Sequence, residues 1–218
     1  MSSIYDKSSL VLIPSGTKTS KVYSQKPTNG DGDFDFTRST AATRVNADGN
    51  IEKETSNLIS RSNDFSQSAW NKIDGTLTSG QAGYDGSSDA WQYTTTSTSG
   101  SIYQLNTNSG VQTFSVYVKG DGSTGVRMYA FGSVNQTAFF NLNTGEITSG
   151  NSIKAEIQDV GSGWYRCSIA FNQTNTQVRL YTTNASATTN SSGTIFIQDA
   201  QLNQGLIAQE VITTTTTA

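Results

Sequence analysis

Thr113-Phe114-Ser115-Val116-Tyr117-Val118-Lys119 is the stretch on which the fold turns. Phe114, Val116 and Val118 occupy alternate positions, with Ser115, Tyr117 and Lys119 between them, so an extended chain buries one face and leaves the other polar or aromatic. A helix would scatter the same residues around its circumference. The β-branched and aromatic types that dominate the stretch also fit a pleated, half-buried strand.

The period of two repeats downstream. Val126 to Phe131 sets Val126, Met128 and Ala130 against Arg127, Tyr129 and Phe131. Ala138 to Leu142 and Glu146 to Thr148 flank Asn143-Thr144-Gly145, which predicts a short hairpin. A second hairpin is predicted where Ala155 to Val160 passes through Gly161-Ser162-Gly163 into Trp164 to Phe171. Val178 to Tyr181 and Thr194 to Leu202 supply two later strands. Seven or more strands at this spacing predict an all-β sandwich or barrel. Composition agrees: of 218 residues, 33% are hydrophobic and 14% charged, and Ser, Thr, Asn and Gly fill much of the rest, as short strands joined by turns require.

Residues 1 to 56 read differently. Two short apolar pieces, Leu10 to Ile13 and Phe34 with Phe36, are separated by a turn-forming cluster from Pro27 to Asp33. Thr43 to Ile51 predicts a β-hairpin turning at Asp48-Gly49. So few apolar residues cannot offset the entropy of ordering the chain, so an extended arm is expected that gains order against a partner. Leu10, Leu12, Ile13, Phe34, Phe36, Arg38 and Arg44 are its candidate anchoring side chains. The sandwich is expected over 57 to 206, followed at 207 to 218 by a Thr-rich tail that can extend but cannot build a core alone.

Several chemistries are excluded. Histidine is absent, which removes Ser-His-Asp and Cys-His nucleophiles and imidazole zinc ligands. The single cysteine, Cys167, rules out an intramolecular disulfide and shares a predicted buried face with Tyr165, Ile169 and Phe171. Net charge is −3 and the 14 basic residues are scattered, so no nucleic-acid partner is expected. No apolar run approaches the roughly 20 residues that cross a bilayer, so no membrane partner is expected either. Asp85, Asp89, Glu146, Glu156 and Asp159 form no glycosidase pattern, and Asp31-Gly32-Asp33 and Asp121-Gly122-Ser123 lack full calcium-loop spacing. A non-enzyme without cofactor or metal is the expectation.

Asn57-Leu58-Ile59-Ser60-Arg61-Ser62-Asn63-Asp64-Phe65-Ser66 followed by Ala69-Trp70 resembles the opening of a jelly-roll module widespread in phage structural proteins. Phe114 to Lys119, Val160 to Ser168 and Ile197-Gln198-Asp199-Ala200-Gln201-Leu202 are similar to later motifs of that module, in the same order. Upstream, Phe36 to Glu52 resembles the segment that precedes it in tail, fibre and head-associated proteins, with Ser39-Thr40-Ala41 as a small departure. The resemblance implies a jelly-roll β-sandwich, often described as carbohydrate-binding-like, carried on a virion. It implies a structural component, such as a head fibre or capsid-associated decoration protein, anchored by its N-terminal arm to other virion proteins. The capsid surface is favoured over the tail because the chain is short and shows no coiled coil or shaft repeat. Self-association as a trimer or dimer is expected.

Tyr117 with Lys119, Arg127 with Tyr129, and Arg179 with Tyr181 stand on the second faces of their strands. Were those strands neighbours, sugar rings of a host surface glycan could stack on the tyrosines while arginine donates hydrogen bonds. A tail-associated carbohydrate-binding module is the corresponding functional alternative. A subunit interface, or the second layer of the sandwich, accommodates the same residues equally well.

Overall fold

The computed structural model describes residues 7–12, 21–22, 24–27, 34–35, 43–45, 51–53, 56–121 and 124–216. The chain divides into two units, 1–54 and 55–218.

The described residues of the first unit form three antiparallel pairs: β1 (Val11–Leu12) with β3 (Ser24–Lys26), β2 (Lys21–Val22) with β4 (Phe34–Asp35), and β5 (Thr43–Val45) with β6 (Ile51–Lys53). Of the expected anchoring residues, Leu10 is exposed, and Leu12, Phe34 and Arg44 lie in these strands, Arg44 in register with Glu52. Ile13, Phe36, Arg38 and the expected Asp48-Gly49 turn lie outside the described residues.

The second unit is an all-β jelly-roll sandwich. Its strands are β7 (Trp70–Ile73), β8 (Gly75–Gln81), β9 (Ala90–Thr95), β10 (Ser101–Leu105), β11 (Val111–Asp121), β12 (Gly125–Gly132), β13 (Gln136–Asn141), β14 (Glu146–Gly150), β15 (Lys154–Gly161), β16 (Trp164–Asn172), β17 (Asn175–Thr183) and β18 (Gly193–Gln204). They make two six-stranded antiparallel sheets: a front sheet ordered β14-β13-β12-β17-β10-β7, and a back sheet ordered β15-β16-β11-β18-β9-β8. Hairpins supply three of the four edges, β7 reaches its place beside β10 after β8 and β9 have entered the back sheet, and β17 returns between β12 and β10, and β18 between β11 and β9, the long crossovers of a jelly roll.

The predicted alternation places the core between the sheets. Phe114, Val116 and Val118 of β11 meet Val126, Met128 and Ala130 of β12, and all six are fully buried. Cys167, Ile169 and Phe171 of β16 point the same way, each also fully buried. Each large apolar side chain so removed from water contributes roughly 1.5–3 kcal/mol. The β15–β16 hairpin closes with Gly161 in register with Trp164. Between them Ser162 (φ 56°) and Gly163 (φ 78°) both take positive φ, the primed turn whose twist matches that of the flanking strands.

The Asn57-Leu58-Ile59 opening is a hydrogen-bonded node. The Asn57 side chain is buried; its Nδ2 donates to the carbonyls of Ala200 (3.1 Å) and Ile212 (2.9 Å), and its Oδ1 accepts from the amides of Leu202 (3.0 Å) and Ile59 (3.3 Å). Further on, the indole of Trp70 donates to the Arg61 carbonyl and that of Trp91 to the Asn63 carbonyl, each at 2.9 Å. The Thr-rich segment is stitched beside this node: the Arg61 amide donates to the Thr215 carbonyl (2.8 Å), and the Thr214 amide to Ser62 Oγ (2.8 Å).

Candidate functional site

The two outer faces of the sandwich differ. On the back sheet, Tyr117 lies under Tyr84, the rings stacked with centroids 3.6 Å apart and 2° between planes. Trp164 meets Tyr84 edge-on at 6.4 Å, and Ala90, Val160, Phe196 and Val211 complete a small second core. The Tyr84 hydroxyl donates to Asp199 Oδ2 at 3.1 Å. Burial, with Asp89 and Asp85 nearby, pushes the Asp199 carboxyl above the usual carboxylate range, opposed by that hydrogen bond and by Arg166. Burial and the Asp199 charge push the Tyr84 phenol up, so it stays a donor.

The C-terminal segment covers more of the back face. Gln201 Nε2 donates to the Gln209 carbonyl (3.2 Å), Asn203 Nδ2 to the Ile207 carbonyl (3.0 Å), and the Ile212 amide to Gln201 Oε1 (2.8 Å). Arg166 Nη2 also donates to the Gln209 carbonyl. The centre of this face is covered by the chain's own residues, while toward β15 a cleft of about 520 Å³ stays open among Glu156, Gln158, Arg166, Ser168 and Ile207.

The front sheet carries an aromatic and cationic platform. Arg127 and Tyr129 on β12 are in register with Tyr181 and Arg179 on β17, giving a checkerboard of rings and guanidinium groups. β10 adds Tyr103 opposite Arg179, and β13 adds Phe139 opposite Arg127. Phe131 packs beside Tyr129 with centroids 4.2 Å apart. Five rings, those of Tyr103, Tyr129, Phe131, Phe139 and Tyr181, thus share one face with two arginines, and all seven side chains are partly exposed.

The guanidinium groups lie over these rings. Arg127 sits 4.6 Å from the Tyr129 centroid and 4.8 Å from that of Phe139; Arg179 sits 4.2 Å from Tyr103 and 5.0 Å from Phe131. Such contacts are worth about 0.5–2 kcal/mol each as water is excluded. Arg127 Nε donates to Thr137 Oγ1 at 2.9 Å. Arg179 donates from Nη1 to the Tyr181 hydroxyl (3.0 Å) and from Nη2 to Gln177 Oε1 (2.7 Å). Its Nε is buried without a partner. Burial lowers the Arg127 pKa, and strands β10, β12, β13 and β17 contain no Asp or Glu.

The structure therefore brings together Arg127, Tyr129, Arg179 and Tyr181 and sets Tyr117 and Lys119 apart on the back sheet, Tyr117 beneath Tyr84. Tyr103, Phe131 and Phe139 join the platform without having been singled out from the sequence. Phe131 and Phe139 carried a usable signal, since each alternates with buried neighbours in a predicted strand. The carboxylates weighed for acid and base work lie elsewhere: Glu156 pairs with Lys154 (2.7 Å), Asp159 accepts from the Gly161 amide (2.8 Å), and Asp85 and Asp89 both accept from Gln198. Glu146, on the edge strand β14, accepts from Thr144 Oγ1 at 3.0 Å. Among the described residues no group of His, Cys, Asp and Glu is arranged to hold a metal.

No protein-family model and no curated protein matches the sequence. Solved structures with a similar architecture include the CBM22-1 and GH10 modules of endo-1,4-β-D-xylanase 10B from Clostridium thermocellum, complexed with xylohexaose, at TM-score 0.42 and 14% identity over 72% of this chain and 29% of that one. The CBM22-1 xylan-binding domain of Paenibacillus barcinonensis Xyn10C matches at TM-score 0.39 and 11% identity, over 71% of this chain and 95% of that one. The enzymatically active domain of tailspike protein 4 of bacteriophage CBA120 matches at TM-score 0.37 and 15% identity, over 69% of this chain and 21% of that one. The chain thus spans less than a third of the xylanase and tailspike chains. At these values the likeness is one of architecture and carries no ligand across.

Proposed function

We propose that this chain is a carbohydrate-recognising module, with the glycan lying across the outer face of β10, β12, β13 and β17. The observation that carries the reading is the contrast between the faces. The back sheet keeps its aromatic residues Tyr117 and Trp164 covered by Tyr84 and leaves open a cleft without aromatic rings beside β15, while the front sheet presents Tyr103, Tyr129, Phe131, Phe139 and Tyr181 partly exposed beside two arginines. Partly exposed rings stack on the apolar faces of pyranoses, and arginine donates to hydroxyls and carboxylates. The test is a glycan array followed by titration of any hit. Saturable binding that is lost in Tyr129→Ala, with the melting temperature kept, is expected; silence across the array, or binding indifferent to Tyr129, refutes the reading.

A second reading concerns place. The ordered motifs at 57–66, 114–119, 160–168 and 197–202 support a structural component of a phage particle, anchored at the capsid surface by residues 1–56 and presenting the sandwich outward. Cryo-electron microscopy of the particle tests it: density for the sandwich on the capsid is expected, and density at the distal tail refutes that location. Size-exclusion chromatography with light scattering tests the accompanying oligomer, and a strict monomer would overturn it.

A further inference from the structure

We infer that the occupant of the front face is an acidic polysaccharide, one whose sugars carry carboxylates, and that Arg127 and Arg179 are the groups that select it. This rests on the carbohydrate reading above and narrows it. The chain as a whole is acidic, at −3, yet four adjacent strands of the front sheet hold two arginines and no Asp or Glu. Among the described residues neither arginine has a carboxylate partner.

The ring faces point to the same ligand class. Tyr103, Tyr129, Phe131 and Phe139 each have a guanidinium within 5.0 Å of their centroids, so a sugar that stacks on the exposed part of this face meets a cation beside each ring. Arg127 uses only Nε within the protein, so both terminal amino groups lack a protein acceptor among the described residues. Two parallel N–H donors in one plane match a carboxylate and not a lone hydroxyl. Arg179 stands diagonally from Arg127 across the β12–β17 pair, about 7–8 Å away at the backbone; each of its terminal nitrogens gives one N–H to Tyr181 or Gln177 and keeps a second, so the next carboxylate along one polymer meets its charge and single donors where Arg127 offers the fork.

Matched polymers test the inference: polygalacturonate, hyaluronan and alginate, each beside its carboxyl-reduced neutral counterpart, titrated calorimetrically against the full chain. At least one acidic polymer is expected to bind about tenfold or more tighter than its reduced form, with affinity falling as NaCl rises from about 50 to 300 mM. Arg127→Gln and Arg179→Gln should each weaken it roughly tenfold. Arg127→Lys, which keeps the charge and removes the fork, should recover only part of the loss, and Lys154→Gln on the back sheet should leave it unchanged. Equal binding of acidic and reduced forms, abolished by Tyr129→Ala, would overturn the inference and spare the carbohydrate reading. Equal weakening by Lys154→Gln would overturn it by showing general electrostatics. Silence from all six polymers counts against both. If the arginine variants misfold, the polymer pairs and the salt series on the unsubstituted chain still decide.

Discussion

Replacing Asn57 by alanine should weaken the sandwich more than most single substitutions on its surface could. The Asn57 carboxamide makes four hydrogen bonds, to Ala200, Leu202, Ile212 and Ile59, from a buried position. Each is worth about 1 kcal/mol net, and buried backbone groups left unpaired cost more. Partial entry of water at the Ile212 end offsets some of that, so the expected loss is about 3–4 kcal/mol. With a urea dependence of about 2 kcal/mol per molar for a domain of this size, the unfolding midpoint should fall by roughly 1.5–2 M. Tryptophan emission is the assay, because Trp70, Trp91 and Trp164 are the chain's three indoles and all belong to the sandwich. Asn57→Asp should lose at least as much at neutral pH, since it sets a second acceptor against two carbonyls, and should recover in acid when the carboxyl can donate. A midpoint shift under about 0.5 M for the alanine variant would refute the reasoning.

Cys167 is fully buried, and burial pushes its thiol pKa up, so Ellman's reagent should leave it untouched in the folded protein and titrate it fully in denaturant. Asp199 has a folded pKa raised by burial, so its ionisation opposes folding as pH rises above the ordinary carboxylate value. Asp199→Asn, which keeps an acceptor for Tyr84 and suits the positive φ at this position (49°), should therefore melt above the parent at neutral pH and lose that advantage toward pH 3. Tyr84→Ala uncovers Tyr117 and Trp164; a loss of about 2–4 kcal/mol and a red-shifted tryptophan emission are expected by denaturation and fluorescence.

The strands of the core were legible because alternation is a local property: Phe114, Val116 and Val118, or Val126, Met128 and Ala130, declare their shared face within six residues. The platform was half legible for the same reason. Arg127 with Tyr129 and Arg179 with Tyr181 stand out along their own strands, but only the β12–β17 crossover makes them neighbours, and no local pattern fixes which strands pair across 50 residues. That also separates Tyr117, whose strand has the same alternation but belongs to the other sheet. Tyr84 lies in a loop with no period, and the C-terminal segment is held by Gln201 and Asn203 amides reaching backbone. Neither leaves a hydropathy signal.

The Asn57 node has a mechanical meaning. Residues 57–62 and 212–215 enter and leave the sandwich side by side, cross-linked by Asn57, Arg61, Ser62 and Thr214. The two segments run in the same direction, Asn57 bonded to Ile212 and Arg61 to Thr215, so tension drawn between residues 57 and 215 shears these bonds together and is taken by them before it reaches the twelve strands behind. The face that would hold a ligand, on β10, β12, β13 and β17, is spared that load until the clamp gives way.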